Sequence, residues 1–112
     1  MLLEGADVGD RTEYRLALID HLSTAFHQYP ASRARMKARA ATRLATLLYQ
    51  EGEHRLAHQM AEEAISLAGQ IRSAQLADDL RVLLRTLPPG ASGDDPALDL
   101  HHRVSGVLAE MS

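Results

Sequence analysis

ATRLATLLYQEGEHRLAHQMAEEAISLA, from Ala41 to Ala68, is the stretch whose reading decides the fold. It divides at Glu51-Gly52-Glu53 into two segments with helical periodicity. Ala41, Leu44, Ala45 and Leu48 fall on one side of the first segment, and Ala57, Ala61, Ala64 and Ala68 on one side of the second. The second row repeats at four, three and four residues, the spacing of a single helix face. Alanine at facing positions lets two helix backbones approach closely, so the stretch predicts a tightly packed antiparallel helical hairpin with its turn at Gly52.

The residues Ala41-x2-Leu44-Ala45-x2-Leu48, Gly52 and Ala57-x3-Ala61-x2-Ala64 resemble one tetratricopeptide repeat. Small residues replace the usual large ones at Ala41 and Ala61, alanine stands for glycine at Ala45, and leucine for tyrosine at Leu48. Gly69 stands where that repeat closes on proline. The match covers about a quarter of the 112 residues. The following IRSAQLADDLRVLLRTL, Ile71 to Leu87, is similar to the ends of helical-repeat regions in actinobacterial regulators that carry an upstream helix-turn-helix domain. The resemblance implies an all-α fold, a short stack of TPR-like hairpins with about five helices. It also implies a non-enzymatic role in binding a protein or peptide, or in self-association.

Composition agrees with helices. One Phe, three Tyr and no Trp leave Leu, Ala, Ile, Val and Met to build the core of what is one domain's length. The absence of cysteine rules out disulfides and thiolate metal sites and fits a reducing compartment. A net charge of −3 opposes general affinity for nucleic acid. Apolar runs are short and broken by charge, so no membrane span is expected. MLLEGADVGD has acids where a secretory leader needs basic and apolar segments, and a cytoplasmic location is the expectation.

Outward from the hairpin, residues 1–9 lack periodicity and carry two glycines, which predicts a flexible arm. Asp10 is a candidate cap with Glu13 three residues on. A helix then extends to about Tyr29, with Leu18, Leu22, Ala25 and Tyr29 inward and Pro30 ending it. Ser32 is the expected cap of the next helix, which reaches Gln50 and carries Arg33, Arg35, Lys37, Arg39 and Arg43 in its first half. The third helix is expected over Glu53–Ile71. Ser73 is placed to cap a fourth with Leu76, Leu80, Leu83 and Leu87 inward. Residues 10–87 thus form the helical-repeat domain and 88–96, with three prolines and two glycines, a linker. Residues 97–112 form a capping or dimerisation helix, started by Asp95 and Pro96.

Few residues carry chemistry. His54 and His58 share a helix face that Glu62 extends, but no further His or Cys completes a zinc set. His101 and His102 point about 100° apart, and His21 and His27 flank the inner stripe of the first helix. No Gly-x-Ser-x-Gly turn or phosphate-cradling glycine loop occurs. Accordingly no catalytic residue, cofactor or metal is expected. Arg35, Arg39 and Arg43, four apart, are the candidate partner-binding charges, with a protein or peptide as partner. Leu100, Val104, Val107 and Met111 form an apolar stripe that either folds back on its own chain or pairs with a second copy, and a homodimer is the expectation. Alternative roles are the sensor or dimerisation part of a bacterial transcriptional regulator, and nucleic-acid contact through the basic half of the second helix.

Overall fold

A computed structural model describes residues 3–69, 71–88 and 96–111 of the chain. Among the described residues there are five helices: α1 (Leu3–Gln28), α2 (Ala34–Gln50), α3 (His54–Ala68), α4 (Ala74–Thr86) and α5 (Pro96–Met111). A single 3-10 turn, Ala31–Arg33, lies between α1 and α2, and no strand occurs among the described residues. The all-α class predicted by the apolar spacing is what the chain adopts.

The hairpin closes through its glycine. Gly52 takes φ +80°, a left-handed conformation that costs glycine nothing. The Glu53 N–H then donates to the Leu48 carbonyl at 2.9 Å and the Gly52 N–H to that of Tyr49 at 3.1 Å. These two bonds satisfy carbonyls that the end of α2 leaves open, the arrangement of a Schellman motif. Beyond the turn, Ala57, Ala61 and Ala64 are wholly buried, as are Ala41 and Ala45 of α2. Thr42 and Thr46 are buried beside them at no polar cost, since each hydroxyl donates to the carbonyl four residues earlier, at 2.8 and 3.0 Å.

The second hairpin stacks on the first, with α4 against α2 and α5 against α3. Helices α1 and α4 both pack on α2, which also carries α3, so α2 is the central helix of the fold. Leu76, Leu80 and Leu83 are fully buried between the layers. Ser73 caps α4 as expected, its Oγ accepting the Leu76 N–H at 3.2 Å. In α5, Leu100 and Val104 are fully buried and Val107 and Met111 half-buried against the same core. Thus the stripe packs against the core of its own chain. Arg103 reinforces the docking by pairing with Glu62 of α3, and Arg72 donates to the Glu110 carbonyl.

Several boundaries differ from the sequence expectation. Helix α1 starts at Leu3, so residues 3–9 of the expected arm are helical, and Asp10 and Glu13 occupy interior positions rather than a cap. Ser32 does not cap α2. Pro30 is extended (φ −73°, ψ 163°), its carbonyl accepts the Arg33 N–H at 2.9 Å, and the resulting 3-10 turn delivers the chain into α2 at Ala34. Helix α3 stops at Ala68 rather than Ile71. Residues 89–95 of the expected linker, with the proposed cap Asp95, lie outside the described residues, while Pro96 opens α5 at the position proline favours. The radius of gyration, 14.8 Å, exceeds the roughly 13 Å of a compact chain of this length. A 26-residue α1, about 39 Å long, accounts for the difference.

Candidate functional site

Helices α1 and α4 are held on either side of α2 by separate contacts. From α1, Leu22 and Phe26 are buried, and Lys37 of α2 sits 4.7 Å above the Phe26 ring. The same ammonium donates to the Tyr29 carbonyl at 3.4 Å, and Arg15 pairs with Glu51 at the far end of α2. On the other flank Arg39 Nε donates to Asp79 Oδ2 of α4 at 2.7 Å. That bond holds the Arg39 guanidinium further above its ordinary value, against the opposing effect of burial.

Between the two flanking helices, α2 floors a groove. One section, of about 400 Å3, lies among Leu18, His21, Ala25, Met36, Arg35, Arg43 and Gln75. A second section of about 280 Å3 shares Leu18 and Arg43 with the first and adds Leu47, Gln50, Asp79 and Val82. Met36 is 41% exposed and Val82 42%. Large apolar side chains are therefore presented to solvent inside a groove whose rim carries positive charge.

The three candidate arginines have different situations. Arg35 and Arg43 are exposed and have no ion-pair partner among the described residues. Arg39, between them, is committed to Asp79 and stitches α4 to α2, so it is not a free charge for a partner as the periodicity suggests. The other four candidates, Leu100, Val104, Val107 and Met111, lie against the core of their own chain and are not brought to this groove.

No group of three potential metal ligands occurs among the described residues. His54 packs near Tyr49, their ring centroids 5.5 Å apart, while His58 approaches Glu62 at 3.6 Å. Burial, and then the charge of Glu62, push the Tyr49 hydroxyl above its ordinary value. His21 alone among the histidines lines the groove. Gln75, Asp79 and Val82 are groove residues that sequence reading passes over, and Leu18, expected inward, is half-buried and lines the groove. Their role depends on where α1 and α4 cross α2, which apolar periodicity does not encode. No helix of the described residues is long and apolar enough to cross a membrane. Comparison with protein-family models, curated proteins and solved structures finds no match to this chain.

Proposed function

We propose that the chain is a non-enzymatic protein-interaction module of TPR-like type, and that the groove between α1 and α4 holds a segment of its partner. The observation that carries this reading is the pairing of exposed Met36 and Val82 with the uncommitted Arg35 and Arg43 in one groove. Exposed apolar side chains contribute binding free energy only when covered, and unpaired cations at the rim favour an acidic ligand and set its register. The stacking of the α4–α5 hairpin on the α2–α3 hairpin is the arrangement expected of consecutive helical repeats.

A fluorescein-labelled, glutamate-rich amphipathic helical peptide, followed by anisotropy, tests it. Saturable binding that collapses in the Arg35→Glu/Arg43→Glu variant, yet persists in Arg55→Glu on the opposite layer, is the expected result. Arg55 is exposed on α3 and serves as the charge control. Absence of saturable binding, or equal loss in both variants, would remove the groove from consideration.

A further inference from the structure

The groove presents its open charges at a fixed interval. Arg35 and Arg43 stand eight residues apart on α2, about 12 Å along its axis, and neither has an ion-pair partner among the described residues. Arg39 lies between them, but its guanidinium is joined to Asp79. The groove is therefore positive at two points and neutral between them. That middle stretch is apolar, with Ala40 buried in the floor, Met36 beside it and Leu18 and Ala25 on the α1 wall. An extended segment laid there would bring about four residues across the same 12 Å, each with a backbone N–H and C=O to satisfy. The uncharged polar side chains that could meet them are His21, Gln50 and Gln75, on three different helices, and they form no row. The Thr46 hydroxyl already donates to the Thr42 carbonyl. A helix arrives with its backbone groups paired, and an apolar floor costs it nothing.

We infer that the occupant is an amphipathic helix of the partner carrying two carboxylate side chains seven residues apart, with apolar residues third and fourth after the first. The inference rests on the groove being a docking surface. Seven residues return to the same helix face after two turns and advance about 10.5 Å, so the two carboxylates reach Arg35 and Arg43 together. The long arginine side chains take up the small remaining distance. A pair only three or four residues apart advances about 6 Å at most. Its second carboxylate falls at the Arg39–Asp79 bond, where Asp79 opposes it. The apolar residues of the seven-residue pattern share the face of the two acids and lie midway between them. They cover Met36 and Leu18, and the small side chain of Ala40 lets the two helices come close. The arrangement uses both open arginines and the neutral stretch between them at once.

Three fluorescein-labelled, alanine-based peptides of about 20 residues test the register by anisotropy against the intact chain. The parent peptide has Glu at positions i and i+7 and Leu at i+3 and i+4. The second has the same composition with its later Glu moved to i+5, off the shared face. The third keeps the parent's charges and carries Pro at i+5, which breaks the helix. The parent should bind at least about tenfold more tightly than either of the others. Arg35→Gln and Arg43→Gln should each weaken the parent by about three- to tenfold, and a parent lacking one Glu should respond to only one of the two substitutions. Equal binding of the parent and shifted peptides, still lost in Arg35→Glu/Arg43→Glu, would overturn the seven-residue register and keep the groove as an acidic docking surface. Equal binding of the proline peptide would make the occupant extended and overturn the inference in the same way. Light scattering of the chain alone at twice 12.3 kDa, with the parent peptide dissociating the dimer, would assign the groove to a second copy instead. No binding of any of the three peptides would discard the groove reading together with this inference.

Discussion

Replacing Ala61 with Phe tests the close helix approach on which the fold is built. Ala61 is 0% exposed, as are Ala57 and Ala64 on its own face of α3 and Ala41 and Ala45 on α2. A phenyl ring there has no space unless the two helices separate, and overpacking of that kind costs about 1–3 kcal/mol. Unfolding entropy of about 2.1 cal/mol/K per residue, over 112 residues, gives roughly 0.24 kcal/mol for each kelvin of melting temperature. The expected fall is therefore about 4–13 °C in a thermal melt followed by far-ultraviolet circular dichroism. Leu56→Phe on the same helix is the control, because Leu56 is 48% exposed and its replacement should stay within about 0.5 kcal/mol. Equal melting temperatures for the two variants would show that the alanine faces are not in contact, and the hairpin packing would fall with them.

Three further perturbations probe the rest of the scaffold. Leu100→Ala, at a fully buried position of α5, should cost about 2–5 kcal/mol in urea denaturation, and a loss under 1 kcal/mol would mean that α5 is not docked on its own chain. Gly52→Ala meets no atom within 4 Å of the new methyl group, so its whole cost is the left-handed backbone. That cost is about 1–2 kcal/mol by chemical denaturation, with Gly52→Asn losing less. Tyr49 keeps its proton in the fold to higher pH than in the unfolded chain, which binds fewer protons once pH passes about 10. Stability should decline as pH rises from the unfolded value through the raised folded one, more steeply for the native chain than for Tyr49→Phe. Parallel pH profiles would contradict this assignment.

Much of the fold was legible because its determinants are local. The alanine rows of α2 and α3, the glycine between them and the leucine row of α4 announce their faces through spacing alone. Ser73 reads correctly because a cap needs only its own helix's N–H groups. Ser32 misled because Pro30, two residues earlier, offers its carbonyl to a 3-10 turn and displaces the helix start. Gly5 and Gly9 disguised the first turns of α1, since each costs a helix about 1 kcal/mol relative to alanine and no apolar row offsets it. The stripe of α5 was recognisable as something buried, but an apolar pattern does not say which chain covers it. Arg39 and Asp79 are 40 residues apart in sequence, so their bond, and with it the distinction between one committed and two open arginines, follows only from the crossing of α4 over α2.

A partner segment docked in the groove floored by α2 would change the surroundings of the side chains that line it. Nuclear magnetic resonance mapping of the intact chain, titrated with the acidic amphipathic peptide, reads this out residue by residue. Saturable shifts should concentrate on the methyl groups of Leu18, Met36, Leu47 and Val82, which border the groove from α1, α2 and α4. Shifts clustered instead around exposed Leu56 and half-buried Val107 in the α3–α5 layer, or no shifts at any peptide concentration, would contradict it.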